Sequence, residues 1–283
     1  MRWRAGRRSS NIEDRRGMRV SRKAAGGGIG TIVLVLVALY FGVDPGVVMQ
    51  NTGSLPAPSQ RVDVPLSAEE QELGDFVSVV LADTEDTWQA IFRQAGAQYR
   101  EPTLVLFTGA VESACGFAQA ATGPFYCPAD QKVYIDPSFY RDLRERFHAP
   151  GDFAQAYVIA HEIGHHVQTL LGISGKGHDA QRRLSSREAN DLSVRLELQA
   201  DCFAGIWANH ADRSHQLLES GDIEEGLTAA NAIDDDRLQQ QVRGRVVPDS
   251  FTHGNSAQRV RWFKFSLADG AVGACNTFEA AAL

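Results

Sequence analysis

Beyond residue 43 the chain has no second apolar run of 18 residues, so at most one segment is long enough to cross a bilayer and any downstream chemistry faces water. Its four cysteines lack zinc-ribbon spacing, which excludes a structural zinc module of that kind. Positive charge is scarce after residue 23: 19 basic residues stand against 33 acidic ones, a net charge of −14. An acidic surface of that kind is solvated and argues against nucleic acid or anionic lipid as its partner. No internal repeat is visible.

The charge that is present is concentrated at the start. Residues 1–23 carry nine Arg or Lys against Glu13 and Asp14, and an apolar run from Ala24 to Val43 follows with only Thr31 polar. About 20 such residues span a bilayer of roughly 30 Å as one helix. The positive-inside rule then predicts a basic cytoplasmic tail (1–23), a single transmembrane helix (24–43), an extracytoplasmic linker (44–65) and an outer domain (66–283). A cleaved signal peptide is the rival, with an overlong basic region, an overlong apolar region and no clear A-x-A site. Gly26 and Gly30 form a small-xxx-small pair that would suit helix pairing, although the oligomeric state is left open.

On the outer side of a membrane disulfides persist. Three pairings are possible; the favoured one joins Cys115 to Cys127 across a short loop and Cys202 to Cys275, with free buried cysteines as the alternative.

Within 66–283, Ser67–Glu70 is a capping box opening a helix that runs through Leu81 and, after a possible interruption at 82–84, through Phe92. Thr103–Thr108 reads as a strand, and 123–136 as a hairpin turning at Pro128–Asp130. Helical periodicity marks Ser138–Phe147, Phe153–Leu171, Ser186–Ala211 and Ser256–Leu267; Asp222–Glu225 looks like another capping box, while Ile173–Ser185 reads as a polar, mobile segment. Strands followed by helices predict an α+β domain, mainly helical, with a small sheet.

One pentapeptide specifies chemistry: His161-Glu162-Ile163-Gly164-His165. On a helix the two histidines stand about 40° apart around the axis and about 6 Å apart along it, so both reach one Zn²⁺, and Glu162 is left beside the metal as a base. The extended form HExxHxxGxxH is absent, since Gln168 and Leu171 occupy its Gly and His positions, and no methionine follows Met49 to make a Met-turn. A catalytic zinc needs a third ligand, and the best donor is Glu197, with Asp201 four residues on placed to orient a ligand histidine. A solvated acidic face is the bland reading of such a pair, but Leu196, Leu198, Ala200, Phe203 and Ala204 around it are apolar.

With HEIGHHVQ, ELQADCFAGIWA, GPFYCPADQKVYID and DSFTHGNSAQRVRWF, the chain resembles the predicted neutral zinc metallopeptidases of bacteria, gluzincin-like proteins, over roughly 60–278. The resemblance implies a zincin-like fold and a membrane-associated peptidase with His161, His165 and Glu197 as zinc ligands and Glu162 as base. His253 is a candidate donor to the oxyanion, as a second-shell histidine or tyrosine is in gluzincins, or else a turn residue satisfied locally. His166 is i+4 from Glu162 and is placed outside the ligand set; Tyr134 is either core or part of a strand edge for an extended peptide; His148 and His178 read as surface groups. The expected activity is peptide hydrolysis by a membrane-anchored zinc enzyme. The rival is a catalytically inactive, zinc-stabilised scaffold of the cell envelope.

Overall fold

The computed structural model describes residues 1–17, 65–120, 123–232 and 251–283. The apolar run 24–43 and the linker lie outside the described residues apart from Pro65, and among the described residues no helix is long and apolar enough to cross a membrane.

The body is helical. The helices are α1 (Ala68–Gln94), α2 (Ser138–Glu145), α3 (Asp152–Leu170), α4 (Ile173–Gln181), α5 (Ser186–His215), α6 (Asp222–Ala232) and α7 (Ser256–Asp269). A 3₁₀ turn, Val272–Cys275, follows the last. The anticipated cap of α1 is present, with Ser67 accepting from Glu70 N and the Glu70 side chain reaching back. The anticipated break at 82–84 is not, because the polar groups there find buried partners. The Asp83 carboxylate accepts from Trp207 Nε1 at 2.7 Å, and Thr84 Oγ1 bonds the Leu81 carbonyl.

The small sheet has the order β1 (Ile12–Asp14), β2 (Thr103–Leu106), β6 (Lys132–Ile135), β5 (Phe125–Cys127). The first three are mutually parallel, and β5 and β6 form the expected antiparallel hairpin. Leu104, Leu106, Val133 and Ile135 are fully buried, each contributing about 1.5–3 kcal/mol through the apolar surface removed from water. A second hairpin, β3 (Ala110–Ser113) with β4 (Gly116–Gln119), was not anticipated. Its tip is tied to the edge of the main sheet by Cys115–Cys127, while Cys202–Cys275 ties α5 to the C-terminal turn, so both favoured pairings form.

Three expectations are corrected. Ile173–Gln181 is helical rather than loose: Gly172 (φ +72°) ends α3, and the next turns lie on α5, with Gly177 against Leu196 and Gln181 Nε2 2.8 Å from Ser193 Oγ. The capping box at 222–225 does not form, because Asp222 accepts from Glu219 N and pairs with the Met1 ammonium, and Glu225 accepts from Phe153 N. Most consequentially, the first fifteen residues are no free tail. They belong to the same compact unit as 66–283.

That arm is held along its length. The Met1 ammonium lies 2.8 Å from Asp152, the first residue of α3, and Trp3 packs edge-on against Phe76. Glu85, buried in α1, takes hydrogen bonds from Arg7 Nη2 (2.9 Å), Ser9 Oγ (2.6 Å) and Asn11 Nδ2 (2.9 Å). Next, β1 adds to β2, with Leu104 N donating to Asn11 O and Arg15 N to Leu106 O; Lys132 Nζ meets Glu13 at 2.7 Å.

Candidate metal centre

Helix α3 runs through the middle of the core and puts His161 and His165 on one face, with ring centroids 4.8 Å apart. Facing it, α5 supplies Glu197, whose approach depends on Gly164. A Cβ there would sit 2.8 Å from the Ala200 carbonyl oxygen, closer than real Cβ contacts come, so glycine lets the two helices touch at the height of the site.

Each histidine is oriented from behind. His161 Nδ1 lies 2.8 Å from Asp201 Oδ1, and His165 Nδ1 lies 2.9 Å from Gln168 Oε1. The Gln168 amide nitrogen is committed to Leu196 O and Gln199 Oε1, which leaves its oxygen facing His165. Both Nδ1 atoms are therefore donors, and each ring, once neutral, presents a bare Nε2 lone pair. These Nε2 atoms lie 3.2 Å (His161) and 3.5 Å (His165) from Glu197 Oε2. Lone pairs facing a carboxylate oxygen at that range repel one another unless a cation or a proton sits among them.

The spacing suits zinc. Tetrahedral bonds of about 2.1 Å hold ligand atoms roughly 3.4 Å apart. The three ligand atoms here lie within 4.8 Å of one another, and two imidazoles with one carboxylate are a donor set zinc accepts while keeping a position open. The other acidic cluster among the described residues, Asp152, Asp222 and Glu225, is occupied differently, with the Met1 ammonium paired to Asp152 and Asp222.

Asp201 is fully buried and fully engaged. Arg259 of α7 grips it with both Nε (2.7 Å to Oδ2) and Nη2 (2.8 Å to Oδ1), and Tyr157 OH donates to Oδ1 while accepting from Arg259 Nη2 at 2.9 Å. Burial opposes its charge, but the Arg259 guanidinium outweighs burial and holds the carboxyl well below the usual range. Glu197 likewise stays ionised, burial being overcome by His165 and His161. Neither Arg259 nor Gln168 was singled out from the sequence.

Glu162 is buried at the wall of an open cleft of about 850 Å³ that also exposes the two histidines and Glu197. Tyr140 sits near it, its phenol pushed far up first by burial and then by the Glu162 charge. Phe125 and Tyr126 of β5, Phe139 of α2 and Leu196 of α5 give the cleft an apolar lining. His253 enters the same cleft from the segment before α7, exposed, with Nδ1 3.0 Å from Thr252 Oγ1. So does His178 of α4, expected as a plain surface group.

The remaining candidates fall elsewhere. His166 is fully buried between Tyr99 and Tyr126, donating from Nε2 to Arg100 O and accepting at Nδ1 from Tyr126 OH; burial lowers its pKa to about 4 and keeps it neutral. Tyr134 is core, stacked on Phe125 with its hydroxyl on Asp130, and β6 is an interior strand, so it offers no free edge.

The sequence model of a family described as "putative neutral zinc metallopeptidase" matches residues 1–278. The chain belongs to that family. It is 50% identical over 287 residues to the Escherichia coli protein YpfJ, covering 98% of this chain and 99% of that one, and 39% identical over 260 residues to a Mycobacterium tuberculosis protein, covering 87% and 86%. Both relatives are described as uncharacterized. No solved structure matches. The family match takes in the N-terminal arm as well as the centre, and zinc is the metal its description names.

Proposed function

We propose that this family member is a zinc-dependent peptidase that hydrolyses internal peptide bonds, with Glu162 as general base. The observation that carries the reading is the pair of histidines whose Nδ1 atoms are fixed by Asp201 and Gln168, so that both Nε2 atoms converge with Glu197 beside an open cleft. His161, His165 and Glu197 would hold the zinc, which would supply a Lewis acid able to bring the pKa of water toward about 7 and to polarise the scissile carbonyl. Glu162 takes the proton of the attacking water and returns it to the leaving amine. His253 donates to the developing oxyanion. Asp201, itself clamped by Arg259, fixes the His161 ring and its tautomer. A scaffold would have no use for Glu162 at the cleft wall, which favours the enzyme.

The two disulfides favour an oxidising compartment, and we place the domain on the outer face of the cell membrane, attached through the 24–43 run. Glu162→Gln should retain zinc and lose chelator-sensitive cleavage of a peptide library. Undiminished cleavage by that variant would refute the assignment.

A further inference from the structure

We propose that Tyr126 is a specificity-determining residue of the cleft: its ring, tethered to the metal-bearing helix through His166, is the seat for a large apolar side chain of the substrate peptide. The proposal rests on the peptidase reading above and adds a substrate class to it, peptides with an aromatic or long aliphatic residue close to the scissile bond.

The geometry starts from alternation along β5. Phe125 and Cys127 join the small core of Val105, Phe107, Val111 and Tyr134 on one face of the sheet. Successive side chains of a strand point to opposite faces, so Tyr126 is sent the other way, toward α3. There its ring stands edge-on to His166, with centroids 5.4 Å apart, and lines the cleft that also exposes Glu162 and the three ligand residues.

The ring is held before any substrate arrives. His166 Nε2 donates to the Arg100 carbonyl at 2.6 Å, which leaves Nδ1 to accept from Tyr126 OH at 3.1 Å. His166 is fully buried and directly follows the ligand His165, so the Tyr126 ring takes its position from the helical turn that carries the metal ligands. Its neighbours on β5 are pinned as well: Phe125 stacks on Tyr134, and Cys127 is bonded to Cys115. A side chain fixed in this way has little freedom left to lose when a ligand packs on it, so apolar contact made there is retained as affinity.

The apolar wall continues past the strand. A Cβ added to Gly123 would lie 3.9 Å from the Phe139 ring, which brings the entry to β5 against α2, and Pro124, Phe139 and Val158 line the same cleft. The residues that α4 brings to the cleft, Ser174, His178 and Gln181, are all polar. The cleft thus has an apolar side and a polar one. Tyr126 is the part of the apolar side whose position is set from the metal-bearing helix by a hydrogen bond.

The test uses the full chain loaded with zinc and carrying Glu162→Gln. Capped hexapeptides of Gly and Ser with one variable residue, Phe, Leu, Ser or Glu, are titrated by calorimetry. The Phe and Leu peptides should bind about 10-fold more tightly than the Ser and Glu peptides. Tyr126→Phe, which keeps the ring and removes its tether, should narrow that gap. Tyr126→Ala should close it, with zinc content and affinity for the Ser peptide unchanged. Equal affinities across the panel overturn the proposal, as does a gap that Tyr126→Phe leaves whole; the second outcome decides even where Tyr126→Ala does not fold. Affinity is read without turnover, so a fault in the peptidase reading, seen as cutting by the Glu162→Gln protein, is distinct from a fault here, seen as a missing apolar preference.

Discussion

Gly164 and Ala200 meet backbone to backbone, and it is this contact that sets how far Glu197 stands from the two histidines. Gly164→Ala must push α3 and α5 apart by several tenths of an ångström. Overpacking of this kind costs about 1–3 kcal/mol, and here it also spreads the ligand atoms. A melting curve and a zinc titration should both move. An unchanged zinc affinity with lowered stability would mean the helix spacing does not control the site.

Gln168 holds His165 as Asp201 holds His161, but without charge. Gln168→Ala should therefore lower zinc affinity by about 10- to 100-fold, the usual effect of losing a group that orients a ligand, with the helices intact. Competition against a chromophoric chelator measures it. Gln168→Glu, which restores an acceptor, should recover part of the loss.

Metal uptake should depend on pH in a defined direction. In the metal-free protein burial disfavours a charged His161, yet Asp201 and Glu197 outweigh it and raise the ring to about 10 from 6.5. Because the folded value is the higher, the stability this group contributes is complete below 6.5 and is lost as pH rises through about 10. Zinc requires the neutral ring, so binding expels protons and apparent affinity should climb over the same interval. Isothermal titration in buffers of different ionisation enthalpy would count the protons. A flat affinity between about pH 6 and 9 would show that His161 is already neutral without metal.

Reduction should act unequally on the two disulfides. Cys202 follows Asp201 directly, and Gln199 donates to the Cys275 carbonyl, so that bridge fastens the back of the metal centre to the C-terminal turn. Its loop of 73 residues is worth about 4 kcal/mol on chain-entropy grounds, against about 3 for the 12-residue Cys115–Cys127 loop. The Cys202→Ala/Cys275→Ala pair should lose both stability and zinc. The Cys115→Ala/Cys127→Ala pair should lose stability with zinc binding retained, as followed by thermal melting and metal analysis.

What was legible in advance was local. His161, Glu162 and His165 are fixed by one helical turn, and Glu197 and Asp201 by one turn of another, among neighbours apolar enough to bury them. Arg259 was hidden because its value lies in Asp201, 58 residues away, and only the packing of α7 on α5 joins them. Gln168 read as a mismatch to a longer motif. Its use emerges when its amide nitrogen is seen to be spent on α5. The arm was missed for the same reason in stronger form. Ile12–Asp14 is three residues in an Arg-rich stretch, and the groups that make it a strand come from Leu104 and Leu106. For α4, two glycines and a polar composition argued against helix, and contact with α5 prevailed.

The Met1 ammonium is 3.3 Å from Asp222, a residue 221 positions later. During synthesis Asp222 follows Met1 by 221 residues, so this contact closes only after the helices between them have been made. Trp3 and Ile12 have partners made sooner, Phe76 and Leu104, so the arm docks in stages. The ammonium contact is thus among the last to form, and its closure marks a finished fold.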